Sequence, residues 1–110
     1  MAYDTNLAKR IEKIIAPESD FVIKHLFGGV AFMVNGNMAC GVYKDSLITR
    51  VEPDHTAAAL DEPWASPFDI SGRPMQGWIL VAPEGITQDE ALQKWVHKGV
   101  KVACSLLAKQ

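Results

Sequence analysis

The dipeptide Asn35-Gly36, which lies between two apolar runs, is the feature that most constrains the fold of this chain. A two-residue hairpin turn of type I′ needs positive φ at both central residues, and asparagine followed by glycine adopts these angles at low steric cost. We therefore predict a β-hairpin whose register follows from the turn. The expected pairs are Val34 with Asn37, Met33 with Met38, Phe32 with Ala39, Ala31 with Cys40, and Val30 with Gly41.

A second hairpin around Lys44-Asp45 would extend this sheet. Its expected pairs are Tyr43 with Ser46, Val42 with Leu47, Gly41 with Ile48, Cys40 with Thr49, and Ala39 with Arg50. Because alternate residues of a strand point to opposite faces, the two registers sort the side chains into two sets. One set is Ala31, Met33, Met38, Cys40, Val42, Leu47, Thr49 and Val51; the other is Val30, Phe32, Val34, Ala39, Gly41, Tyr43, Ile48 and Arg50.

Both of these predicted faces are largely apolar. A small antiparallel sheet normally keeps one face in water, so a sheet with two apolar faces needs a cover on each. The second cover must come from another part of this chain or from a partner.

The first helix is predicted from about Thr5 to Ile15, with Asp4 or Thr5 as its cap. Its apolar residues recur at helical spacing and share one face; they are Leu7, Ile11, Ile14 and Ile15. After Pro17, the residues Phe21-Val22-Ile23 open a stretch that is rich in strand-forming side chains.

Two further helices are predicted in the second half of the chain. Pro53 suits the first turn of a short helix that runs to about Leu60. Thr87 followed by Glu90 forms a capping box ahead of a long amphipathic helix. Gly99, inside that helix, is explained equally well by close packing or by simple tolerance of a glycine. Between the two helices we expect an irregular connection over 64–74 and a strand over 77–82.

Composition limits the class of protein. A chain of 110 residues with 48% hydrophobic residues can build one core, so one domain spanning residues 1–110 is expected. The net charge of −2 argues against binding that depends on neutralising many phosphates. The sequence has no apolar run of about 18 residues and no signal-peptide pattern, and we expect a cytoplasmic protein that does not bind a membrane.

The polar residues form no recognisable catalytic or metal-binding pattern. Cys40 and Cys104 belong to no Cys-x-x-Cys pair and are expected to be buried free thiols. Gly28-Gly29 is not part of a phosphate-binding loop. The three histidines, His25, His55 and His97, lack the spacing of a metal site. We predict no catalytic residue, no metal and no cofactor.

Several short motifs occur in a distinctive combination. Phe27-Gly28-Gly29 is followed by Phe32-Met33, by Asn35-Gly36-Asn37-Met38, and later by Gly72-Arg73-Pro74-Met75 with Gly77 ahead of a strand. In this combination, nearly the whole chain resembles the N-terminal domain of the TfoX/Sxy family of competence regulators.

This resemblance implies a two-layer α+β fold, with helices on one face of a curved antiparallel sheet, similar to secretion-chaperone-like folds that often dimerise. It also implies a regulatory association. Longer members carry a second, C-terminal domain, which we expect to be absent here together with any activity that depends on it, including transcriptional activation of competence genes.

The leading hypothesis from the sequence is a noncatalytic regulatory or protein-binding module that forms a homodimer. Arg50 is the most informative polar residue, because its register places it on an apolar face where its stem can lie on apolar surface and its guanidinium can meet a carboxylate. The alternative is a solvent-reaching edge residue. The predicted contact surface is Val30, Phe32, Val34, Ile48 and Arg50, with Arg73 as a further binding candidate.

Two other functions remain open. An enzyme or small-ligand carrier would use a pocket near Arg50, Arg73 and Trp78. A nucleic-acid accessory protein would use the basic stripe Lys94, Lys98 and Lys101, which a solvated helix face also explains. Binding of single-stranded nucleic acid would require aromatic residues interleaved with this charge, and no such pattern is readable in the sequence. A nucleic-acid accessory protein is therefore not the favoured function.

Overall fold

The computed structural model describes residues 3–17, 20–26, 28–68 and 77–105. Within these ranges, helices pack on one face of a sheet of six antiparallel strands, in the order β1-β2-β3-β4-β6-β5. The helices are α1 (Thr5–Ile15), α2 (Thr56–Leu60) and α3 (Asp89–Ser105), and Pro53–His55 and Pro83–Ile86 form 3₁₀ helices. The strands are β1 (Val22–Leu26), β2 (Gly29–Val34), β3 (Asn37–Tyr43), β4 (Ser46–Arg50), β5 (Ala65–Pro67) and β6 (Trp78–Val81). The predicted α+β class and two-layer arrangement are confirmed.

The helix-facing side of the sheet, here called the inner face, carries the hydrophobic core. The first helix begins as predicted, with Asp4 Oδ1 accepting from the backbone N–H groups of Asn6 at 2.9 Å and Leu7 at 3.1 Å. Arg10 joins α1 to the start of α3, because its Nη2 lies 2.9 Å from both Asp89 Oδ1 and the carbonyl oxygen of Ile86. The core side chains from α1 and α3 are Leu7, Ile11, Ile15, Leu92, Trp95, Val96, Val100 and Ala103.

The Asn35-Gly36 turn is confirmed, with φ of 55° and 78°. The pairs next to it, Val34 with Asn37 and Met33 with Met38, are also as predicted. Beyond them the prediction is wrong, because the register shifts by one residue at an irregularity between Phe32 and Met33. The observed pairs are Phe32 with Cys40, Ala31 with Gly41, and Val30 with Val42. The second hairpin has the predicted register from Tyr43–Ser46 to Cys40–Thr49.

This β-bulge leaves Ala39 as the extra residue on β3 and exchanges the two faces of β2. Val30, Phe32 and Val34 lie on the inner face, no more than 2% exposed and packed in the core. Their assignment to a contact surface is therefore corrected: helices of the same chain cover them. The other face, here called the outer face, carries Ala31, Met33, Met38, Gly41, Tyr43, Ile48, Arg50, Trp78 and Leu80.

Part of the outer face is covered by the chain itself. Phe68 follows β5, yet its ring centroid lies 6.4 Å from that of Tyr43 on β3. The ring must therefore cross the outer side of β6 and β4, the two strands between them. Phe68 is 6% exposed, and Ile48 on β4 is fully buried. The need for a second cover, inferred from the sequence, is met here in part by Phe68.

Two smaller differences concern element boundaries. Residues 65–67 of the expected irregular connection form strand β5, which pairs with β6. The last helix begins at Asp89, so Thr87 belongs to the end of the preceding 3₁₀ helix and the expected capping box is misplaced. The Gly72-Arg73-Pro74-Met75 motif lies outside the described residues.

Candidate functional site

A groove of about 820 Å³ runs between α3 and the segment that leads from α2 into β5. Trp64 and Glu62 line one wall, the 3₁₀ residues Glu84 and Gly85 close one end, and α3 forms the other wall. This concave surface brings together α3 and residues that lie more than twenty positions before it in sequence.

Trp64 has an unusual backbone for a bulky side chain, with φ of 70°. A non-glycine residue in this left-handed region costs about 1–2 kcal/mol. Its carbonyl oxygen accepts a hydrogen bond of 2.9 Å from the N–H of Ala82, which holds it against β6. Its side chain lies over Gly85, where an added Cβ would come within 2.9 Å of Trp64 Cβ. The indole nevertheless stays 56% exposed, so the strained backbone presents an aromatic ring to the groove.

The helical wall carries a second tryptophan and a row of cations. Trp95 is 7% exposed, and Lys98 Nζ lies 5.1 Å from the centre of its ring, a cation–π contact. Thr49 Oγ1 donates a buried hydrogen bond of 2.7 Å to the carbonyl oxygen of Trp95, which fixes this part of α3 on the sheet. Lys94 and His97 also line the groove.

A second hollow of about 480 Å³ continues the groove along α3 and shares Glu62 and Lys98 with the first. Lys101 lines this extension. The helical wall therefore carries Lys94, Lys98 and Lys101 after Glu90 in its first turn, while Glu62 lies on the facing wall and Glu84 at one end. We call the two hollows together the α3 groove.

Two lysines of the sequence-predicted basic stripe, Lys94 and Lys98, thus line the same hollow as Trp64 and Trp95, and Lys101 lines its extension. The sequence analysis found no aromatic interleaved with Lys94, Lys98 and Lys101, yet Trp95 lies within this stripe and contacts Lys98. Trp64 joins the same hollow only through the tertiary fold. The available signal was Pro63 before Trp64, which marks a turn but says nothing of its direction.

Arg50 and Trp78, two residues of the predicted ligand pocket, are in contact on the outer face. The guanidinium lies 4.6 Å from the centre of the Trp78 ring, and its Nη1 donates to the carbonyl oxygen of Met38 at 3.2 Å. Burial lowers the pKa of Arg50 from its ordinary value. Among the described residues no carboxylate pairs with it. Arg73 lies outside the described ranges, so this pocket stays a prediction. Ile48 is fully buried within the chain, so an interface at this place stays a prediction for Arg50 only.

The described residues contain no cluster of three or more histidine, cysteine or acidic side chains that could hold a metal ion.

Cys40 is buried as expected, but Cys104 is exposed, which corrects that part of the prediction. Nowhere in 3–17, 20–26, 28–68 or 77–105 does a helix have the length and apolar character needed to span a bilayer.

Comparison with known proteins gives one finding. The family model described as the TfoX N-terminal domain matches residues 13–103. Neither the curated proteins nor the solved structures contain a significant match. The matched segment includes the whole sheet and nearly all of α3, and it covers most of the chain. The chain therefore belongs to the TfoX N-terminal domain family.

Proposed function

We propose that this domain is a noncatalytic regulatory module that binds a segment of a partner protein in the α3 groove. Its family is not a known enzyme family and supports a role related to competence regulation. The observation that carries the proposal is Trp64, an exposed aromatic held in a left-handed backbone beside the lysines of α3. Backbone strain of this kind is common at sites where a fold positions a residue for binding.

The groove favours an occupant with an apolar anchor and acidic neighbours. Exposed tryptophan is enriched among the residues that dominate protein interfaces. Lys94, Lys98 and Lys101 follow one another at helical spacing along one wall, so acidic residues of a bound segment would lie next to them. An aromatic or aliphatic side chain would rest against Trp64.

The glutamates of the groove argue against single-stranded nucleic acid as the occupant. A strand stacked on Trp64 would place its phosphates between Lys98 on one wall and Glu62 on the other, with Glu84 at one end. Nucleic-acid grooves track the backbone with positive charge, whereas this groove carries both signs. A protein segment can match both walls, because its own charges can differ from one side to the other.

Fluorescence anisotropy with a labelled peptide tests the proposal. The probe has a Leu-Phe-Leu centre flanked by glutamate pairs, and its reference has lysines in place of the glutamates. We expect the acidic peptide to bind more tightly, and Trp64→Ala to weaken it by at least tenfold, or about 1.4 kcal/mol. Lys98→Glu should weaken it about fivefold.

The matched control is Lys13→Glu, the same charge change at an exposed position on α1, which should leave binding unchanged. The proposal fails if the acidic peptide does not bind at millimolar concentration, or if Trp64→Ala has no effect. Tighter binding of a 15-residue oligothymidylate than of the peptide would also overturn it, in favour of a nucleic-acid ligand.

A further inference from the structure

The two edge strands of the sheet differ in how well they are protected against pairing with a further strand. At one end of the strand order, β5 has three residues and contains Pro67, which has no N–H to offer a further strand. At the other end, β1 has five residues and no proline. Alternate N–H and C=O groups along β1 therefore face away from β2 and can pair with another strand.

The open edge is also apolar. Val22 is 60% exposed and Ile23 is 38% exposed, and they are two of the three large hydrophobic side chains that are exposed in the described part of the chain. Edge strands of monomeric proteins usually carry charges or bulges that prevent such pairing. On β1, Lys24 is the charged residue.

A strand that pairs with its own copy must do so in antiparallel register about a twofold axis. An axis on Lys24 would place two lysines directly opposite each other, which is unfavourable. An axis on Ile23 places the two isoleucines together and sets Val22 opposite Lys24 of the second copy. We infer that two copies of this chain pair through β1, with Ile23 on the twofold axis.

The charges beside β1 fit this register, in which Asp20 lies diagonally across from Lys24 of the second copy. An axis on Val22 would set these two residues directly opposite, but its pairs would need Asp20 and Phe21, which lie outside β1. A pocket of about 540 Å³ lies beside β1 on the outer face and is lined by Asp20, Val22, Lys24 and Met33, among others. In the Ile23-centred register, Lys24 of the second copy enters this pocket. Its stem lies along Val22 and Met33, and its ammonium can reach Asp20, which is exposed. By symmetry the contact forms twice.

This interface is on the opposite edge of the sheet from β5 and does not involve the α3 groove, so it is independent of the proposed peptide binding. Disulfide trapping tests the axis. Directly opposed residues of an antiparallel pair have Cα atoms about 4.5–5.5 Å apart, within the range of a disulfide. In a Cys104→Ser background, Ile23→Cys should form a covalent dimer on oxidation, and Lys24→Cys should form little.

A charge exchange tests the pocket contact. Sedimentation of wild type should show a dimer. Asp20→Lys and Lys24→Asp should each raise its Kd about tenfold, and the double variant Asp20→Lys/Lys24→Asp should restore it. Circular dichroism of each variant checks that the fold is retained.

Three results would overturn the inference. A wild-type monomer at every concentration would show that no second copy binds. A dimer whose Kd the single exchanges leave unchanged would place the interface elsewhere. Preferential trapping of Lys24→Cys would place the axis on Lys24.

Discussion

The carbonyl oxygen of Ala39, at the bulge in β3, lies directly against Gly99 in α3, so closely that a side chain at position 99 would overlap it. The same Cβ would stand 2.9 Å from Thr49 Oγ1, which bonds to the carbonyl oxygen of Trp95. The bulge and the glycine therefore fit each other, and together they bring α3 close to the sheet. Of the two readings of Gly99 from the sequence, close packing is the one observed.

We expect Gly99→Ala to lower the free energy of unfolding by about 2 kcal/mol. Alanine favours a helix by about 1 kcal/mol over glycine, so an exposed position would show a gain instead. Here the obstacle is a backbone carbonyl, which cannot turn aside as a side chain can. Urea denaturation measures the change, and Gln93→Ala, exposed on the same helix, should stay within about 0.5 kcal/mol of wild type. A stabilised Gly99→Ala would contradict the packing described.

The faces of β2 can be tested with two neighbouring residues. Phe32 is fully buried on the inner face, whereas Met33 is half-buried on the outer face. Phe32→Asp should cost more than about 4 kcal/mol, because it leaves a cavity and an unpaired buried charge, and the domain should unfold. Met33→Asp should cost about 1 kcal/mol. Thermal denaturation compares the two variants. A larger loss of stability in Met33→Asp than in Phe32→Asp would support the register without a bulge.

The strain at Trp64 predicts a difference between two truncations. Trp64→Gly and Trp64→Ala both remove the indole, but glycine adopts a φ of 70° without a steric penalty. We expect Trp64→Gly to be more stable than Trp64→Ala by about 1 kcal/mol. Both variants should lose binding in the peptide assay. A difference in stability without a difference in binding separates the strain of the turn from its function. Equal stability of the two variants in urea would show that the turn stores no strain.

The two cysteines should differ in reactivity. Cys40 is fully buried, and burial raises the pKa of its thiol far above the ordinary value. The thiolate, which is the reactive form, is therefore scarce at Cys40 between pH 7 and 9, and the pH must rise much further to produce it. Cys104 is exposed. Titration with a disulfide reagent should modify one thiol per native chain and two after unfolding, and Cys104→Ser should abolish the native reaction.

Much of the fold could be predicted from interactions between residues that are close in the sequence. The spacing from Leu7 to Ile15 predicted α1 with its observed bounds, and Asn35-Gly36 predicted the turn, because both signals act between residues close in the chain. The motif combination also identified the family, which the match over residues 13–103 supports. The register beyond Met33 failed, since nothing local marks Ala39 as an extra residue.

What only the tertiary structure decided is where the faces and the groove lie. The bulge at Ala39 is compatible with α3 because Gly99, sixty residues later, leaves room for its carbonyl oxygen. The register shift at this bulge changes which side of β2 is buried, and so moves Phe32 from a predicted surface into the core. Likewise, Trp64 joins the lysines of α3 through a left-handed turn over Gly85. The sequence determined which side chains this domain has for binding; long-range packing determined which of them meet.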